Sequence, residues 1–300
     1  RTEKIDIHEC HNHYNNILNI LFKKTNNFNL NLFKNTNNLE CNLKNKRTNR
    51  ILIFTDSRGE HQATFKDKKI FTNKLFDYLK NNNIDCDLMM CPYSWTSTID
   101  FIENIENKII NVNDYDFIIL YTGVVEYSPR PLSNYDECIN KYSEEVNFNR
   151  LIDNKRNING KRIFNNKKIF MEKFFGDLIK NNHEYNITYR NEKTKSLISF
   201  DMNKKIINYL QKLENKLIYI NSNKCVNDWE GNYIIKNKDG RPKNINIIED
   251  FSKQTIGKFK NFINLLDWND DDVKKYTVDN MHLTYEGSEF IYNEIIKLLN

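Results

Sequence analysis

From Arg50 onward, short apolar runs alternate with apolar residues at helical spacing. Ile51-Leu52-Ile53-Phe54 runs straight into Thr55-Asp56-Ser57-Arg58-Gly59. An apolar run closed by small polar residues and glycine predicts a buried parallel strand entering a turn. Phe71, Leu75, Phe76 and Leu79 then recur as one face of a helix that ends at Asn81-Asn82-Asn83. Ile84 to Cys91 predicts a second strand, stopped by Pro92. Thr96 or Ser97 is placed to cap the next helix, whose inner face is Ile99, Ile102, Ile105 and Ile109. Tyr115 to Tyr121 predicts a third strand, ending at Thr122-Gly123. Three successive strand–helix units predict a doubly wound parallel sheet.

Beyond Ser128 the pattern loosens. Residues from about 128 to 199 read as an insertion of mixed helix and loop, with one helix from Lys168 to Lys180. Regularity returns with a helix over Asp201–Leu213 and a strand over Leu217–Ile220. Trp229–Ile235 predicts a short strand or hairpin, Asp239-Gly240 a turn, and Ile256–Leu266 a helix. The chain closes with a loop over Thr277–Leu283 and a helix carrying Phe290, Ile291, Ile295, Ile296 and Leu299. The expected fold is α/β: a flavodoxin-like three-layer α/β/α domain over residues 50–300 with a central parallel sheet. Residues 1–49, rich in Asn and Lys, are expected to form an N-terminal extension.

Composition narrows the functional classes. The 300 residues are 39% hydrophobic, but 13% are aromatic, which excludes a wholly disordered chain. A net charge of +5 is too dilute to mark a basic face, so no nucleic-acid partner is expected. No apolar run approaches the roughly 20 residues of a membrane span. Arg1 to His13 are too polar for a signal-peptide core. The six cysteines are scattered, which predicts free thiols in a reducing compartment and favours a cytoplasmic location. His8, Cys10, His11 and His13 crowd within six residues, too tightly for an unstrained tetrahedral site, so they are expected to be solvated rather than metal-bound.

In an open parallel sheet, function gathers at the carboxyl ends of the strands. Three polar clusters fall there: Asp56-Ser57-Arg58-Gly59, the stretch Gly123 to Pro131, and Asp279-Asn280-Met281-His282. A serine on a strand-to-helix turn exposes its hydroxyl and aims its backbone amide at a reacting oxygen. A histidine three residues after an aspartate is placed to be oriented by that carboxylate. Serine, histidine and aspartate are the parts of an acyl-transfer triad. Taken singly, Ser57 also reads as a helix cap, and His282 as a loop histidine tied structurally to Asp279.

With Asp-Ser after the first strand and Asp-x-x-His before the last helix, the region from about Arg50 to Asn300 resembles the SGNH/GDSL hydrolase superfamily. Thr55-Asp56-Ser57 stands where the family has Gly-Asp-Ser, and Gly123 matches the start of its third block. Gly-Val-Val-Glu-Tyr-Ser-Pro-Arg-Pro resembles a variant of that block in members associated with polysaccharide biosynthesis. The resemblance implies Ser57 as nucleophile, His282 as general base and Asp279 as its orienting group, with no metal or cofactor. It implies an esterase or O-acyltransferase, most simply O-acetyl, acting on a carbohydrate or other acyl-ester substrate.

Two departures stand out. The family's block-three asparagine, an oxyanion donor, falls at Val125. Its block-two glycine would lie near Tyr93-Ser94-Trp95-Thr96, where there is none, leaving Ser94 and the local amides as candidates. Losing one such donor costs about 10²–10³ in rate. Arg58 and Arg130 are the candidate substitutes, near the oxyanion or gripping a substrate anion. Glu126, His61 and His183 are expected to be solvated, whereas Tyr93, Trp95 and Tyr127 suit either a sugar ring or core packing. The alternative to an enzyme is a catalytically silent domain of this type that binds a glycan or a protein.

Overall fold

Runs of Ile, Leu and Phe too apolar for a solvated face form the centre of the molecule. The computed structural model describes residues 50–60, 68–93, 95–140, 167–229, 231 and 242–299. The strands are β1 (Arg50–Thr55), β2 (Asp85–Met90) and β3 (Phe117–Tyr121), then a two-residue β4 (Arg130–Pro131). They are followed by β5 (Tyr185–Tyr189), β6 (Glu192–Lys195), β7 (Leu217–Ile220) and β8 (Asn261–Ile263). The helices are α1 (Phe71–Asn81), α2 (Thr98–Glu106), α3 (Val124–Tyr127), α4 (Leu132–Asn140) and α5 (Lys167–Phe175). After them come α6 (Phe200–Gln211), α7 (Ile247–Lys253), α8 (Asp270–Tyr276) and α9 (Tyr285–Leu299).

Five strands make one parallel sheet in the order β2-β1-β3-β7-β8. Successive side chains of a strand point to opposite faces, and both faces are dry. Leu52, Phe54, Ile118 and Leu120 pack with Ile99 and Ile102 of α2 and Ile206 and Leu210 of α6. Ile51, Ile53, Ile119 and Tyr121 pack with Phe71 and Leu75 of α1 and Ile291 and Ile295 of α9. The result is the expected three-layer α/β/α architecture. Counting only its own strands, the sheet runs 2-1-3-4-5, and the order reverses between β1 and β3. Ligands of such sheets lie in the crevice at that switch point.

Two expectations fail. Ile256–Leu266 is not a helix. Gly257 takes a left-handed φ of +67°, and Asn261–Ile263 pairs with β7 as the edge strand β8. The ladder bonds β7 offers outweigh the helical spacing of the apolar residues. The segment from 128 to 199 also holds more than helix and loop: β4, β6 and β5 form a small antiparallel sheet. That sheet joins the core through Leu197 N–H to Glu126 O and Ser196 Oγ to Tyr127 O. Residues 1–49 with their His/Cys cluster, Ser94, His61, most of Trp229–Ile235 and the Asp239-Gly240 turn lie outside the described residues. Among the described residues, Cys86 and Cys138 are free thiols, and no helix is long and apolar enough to cross a membrane.

Candidate active site

At the carboxyl end of β1 the chain leaves the sheet through a single 3-10 turn, Ser57–Gly59. Asp56 caps it, its Oδ1 accepting the Arg58 N–H at 3.0 Å. The Asp56 N–H donates to Tyr121 O of the neighbouring β3 at 3.0 Å, which fixes the turn to the sheet. Ser57 is left half-buried at the mouth, and no described residue accepts its N–H.

The partner loop arrives from more than two hundred residues away. Ser57 Oγ lies 3.2 Å from His282 Nε2, and His282 Nδ1 lies 2.9 Å from Asp279 Oδ2. A carboxylate only accepts hydrogen bonds, so Nδ1 carries the proton and Nε2 is free to accept from the serine hydroxyl. Asp279 Oδ1 also accepts the backbone N–H groups of Met281 and His282, at 3.1 and 2.8 Å. The loop is closed at its base by a bridge between Thr277 and Leu283.

Sequence reasoning missed what holds this loop. Asn280 sits at φ +70°, a conformation that asparagine tolerates better than most residues. Its Oδ1 accepts Val226 N–H at 2.7 Å, and its Nδ2 donates to the carbonyls of Trp229 and Val226. Asn223 Nδ2 donates to Asn280 O at 2.8 Å. Gly231, at φ +92°, lets the chain pass so closely that a Cβ there would lie 2.2 Å from Val278 O. Asparagine between Asp279 and His282 was the available signal, since left-handed loop positions favour it.

The remaining predicted residues divide. Gly123 stands at the end of β3 with φ +123°, where a Cβ would lie 2.8 Å from the Tyr127 ring. Arg58 is a correction. Its side chain is fully buried rather than facing the cleft. The guanidinium grips Asp56 through Nε and Nη2, donates Nη1 to Ser222 Oγ at 3.1 Å, and stacks 4.0 Å from the Tyr121 ring centroid. Burial alone would lower its pKa, but Asp56 and Tyr121 outweigh burial and hold the group above the ordinary arginine value. It braces the turn from behind and has no line to a substrate. Glu126, expected in solvent, is also fully buried. Burial raises its pKa, and Oε1 accepts Thr98 N–H at 2.9 Å.

Arg130 is half-buried. It donates Nε and Nη2 to Val125 O at 3.3 and 3.1 Å, and its guanidinium lies 4.5 Å from the Trp95 ring centroid. Tyr127 is core, stacked on Phe251, and Tyr93 Oη donates to Asn104. Val125 is nearly fully buried and offers no side-chain donor. Among the described residues, no group of three His, Cys, Asp or Glu side chains is arranged to hold a metal ion.

The chain matches no protein-family model and no curated protein. It is similar to a solved lipase/acylhydrolase from Enterococcus faecalis, at 12% identity and TM-score 0.44, over 84% of this chain and 95% of that one. A structure from Lactobacillus plantarum aligns at 14% identity and TM-score 0.41, over 85% and 98%. A putative GDSL-like lipase from Parabacteroides merdae aligns at 11% identity and TM-score 0.38, over 84% and 95%. At such distances the chemistry has to be read from the site's own geometry.

Proposed function

We propose that the protein is an SGNH-type serine esterase or O-acyltransferase. The observation that carries this reading is the chain of contacts from Ser57 Oγ through the His282 ring to Asp279, at 3.2 and 2.9 Å. Three residue types, in the required order and tautomer, meet at the crevice end of the sheet. The imidazole is also reachable, its side chain being 32% exposed.

In the proposed cycle His282 Nε2 takes the Ser57 hydroxyl proton as Oγ bonds to the ester carbonyl carbon. The carbonyl oxygen becomes an oxyanion, and the Ser57 N–H at the start of its turn supplies one donor. Collapse breaks the carbon–oxygen bond of the leaving alcohol, which receives the proton from His282. Water, or a hydroxyl of an acceptor, then attacks the acyl-Ser57 with His282 again taking and returning a proton. Asp279 keeps the ring in the right tautomer and balances the imidazolium. A glycan as acyl donor or acceptor is supported only by the resemblance of the Gly123–Pro131 stretch.

The competing reading, a silent domain that binds a glycan or a protein, draws on Val125, which supplies no oxyanion donor. One experiment separates the two. Wild type is expected to hydrolyse p-nitrophenyl acetate and to be labelled at Ser57 by a fluorophosphonate. Ser57→Ala is expected to lose roughly 10⁴-fold in kcat with its thermal unfolding unchanged. Unlabelled wild type with no turnover favours the silent domain, and Ser57→Ala turning over like wild type refutes the triad.

A further inference from the structure

Trp95 has φ +58°, the left-handed region that a bulky side chain rarely enters. Such strain persists only where its surroundings over-determine it, and it collects at functional sites. Trp95 lies on the loop joining β2 to α2, beside the nucleophile turn. Cys91 N–H at the head of that loop donates to Thr55 O at 2.8 Å.

Two residues of the mid-chain segment converge on this loop. Lys167, at the start of α5, is fully buried. Its Nζ donates to Trp95 O at 2.8 Å, to Ser97 Oγ at 3.1 Å and to Asp100 Oδ2 at 2.8 Å. These three bonds run to the loop and to the first turn of α2. Asp100 Oδ2 in turn accepts Ser97 N–H and Ser97 Oγ–H, both at 2.8 Å. From the other side, Arg130 lies over the Trp95 ring while holding Val125 O. Trp95 is thus held by its carbonyl from one side and by its ring from the other. The two clamps tie together the ends of β2 and β3, which flank β1 and Ser57.

We infer that Lys167 is a positioning residue for the acyl site: it fixes the β2–α2 loop, the wall beside Ser57, in its left-handed form. This rests on the Ser57 reading proposed above and deepens it. An ion pair sealed this completely is a poor source of stability, because desolvating both charges offsets their attraction. Its distinctive product is geometric: it places one carbonyl and one helix start. A displacement of about 1 Å in such a wall costs up to about 10²-fold in rate.

The test compares wild type, Lys167→Met and Lys167→Met/Asp100→Asn in the full chain. The double variant removes both charges of the pair and keeps an acceptor for Ser97 N–H, so it carries the comparison should the single variant fail to fold. Both are expected to lose at least about tenfold in kcat on p-nitrophenyl acetate, with KM within twofold. Amide hydrogen exchange over residues 93–97 is expected to quicken while that of 117–121 stays slow. Wild-type kcat in the double variant overturns the proposal, as does unchanged exchange over 93–97 or a change confined to KM. Ser57→Ala on the same substrate separates the two readings. If wild-type turnover is Ser57-dependent and the Lys167 variants match it, only the positioning role falls. If turnover does not depend on Ser57, both readings fall.

Discussion

The two sides of the Ser57 turn are built differently. On one side the Asp279–His282 loop is complete and braced, with two backbone amides on Asp279 and the Asn280 amide pinned to 226–229. On the other side Val125 stands where the resemblance calls for a donor, and the stretch near which it calls for a glycine, Tyr93 to Thr96, has none and includes the strained Trp95. On the proposed reading, the half that would handle the proton has its full set of parts, whereas the half that would receive the oxyanion does not. In the proposed reaction, nucleophile activation should be strong and oxyanion stabilisation weak, so the chemical step is limited by the second.

Breaking the braced half should have the largest effect. Asn280→Ala loses three hydrogen bonds and strains φ +70°, whereas Asn280→Gly loses the same bonds but accepts that φ. Both are expected to lower kcat by about 10- to 100-fold as His282 drifts from Ser57. Alanine should cost about 1 kcal/mol more than glycine in unfolding free energy, which chemical denaturation can read. Wild-type kcat in both variants would mean that the loop needs no clamp.

Filling the deficient half should have the next largest effect, in the opposite direction. Val125→Asn restores a side-chain donor at the position where the resemblance places one. About a tenfold rise in kcat on an acetyl ester is expected, short of the full worth of a preorganised donor. Burying the amide among apolar neighbours should cost about 1–3 kcal/mol, seen as a lower Tm. A lower Tm without a rate gain would show that the oxyanion is served from elsewhere.

The same contrast explains what was legible in the chain. Parallel strands buried on both faces read as continuous apolar runs, so β1, β3 and β7 were visible, and with them the strand ends that carry Ser57 and Gly123. The pairing of Asp279 with His282 was visible because the two stand three residues apart on one loop. The small antiparallel sheet was not, because β5 is largely exposed and its turn to β6 passes through Arg190 and Asn191, both at positive φ without a glycine. Arg58, Glu126 and Lys167 were misjudged or missed for one reason. A charged side chain looks solvated until its partner is known, and only Asp56, two residues from Arg58, is close in sequence. Thr98 and Asp100 lie 28 and 67 residues from Glu126 and Lys167.

Glu126 offers the smallest and most specific test of the deficient half. Its Oε1 holds the first turn of α2 through Thr98 N–H, while Oε2 is buried with no hydrogen-bond partner among the described residues. Burial raises its pKa in the fold above the unfolded value. A carboxyl shifted that way contributes stability that is fully present below the unfolded pKa and is lost as pH rises through the folded one. Glu126→Gln keeps an oxygen for Thr98 and never ionises. It is therefore expected to be more stable than wild type at neutral pH, read as a higher Tm. The gain should shrink as pH falls into the ordinary carboxylate range, where wild type is also neutral. Because Glu126 braces α2 and is sealed from solvent, kcat should hold while Tm moves, and a fall in kcat with a normal Tm profile would place the carboxylate in the chemistry instead.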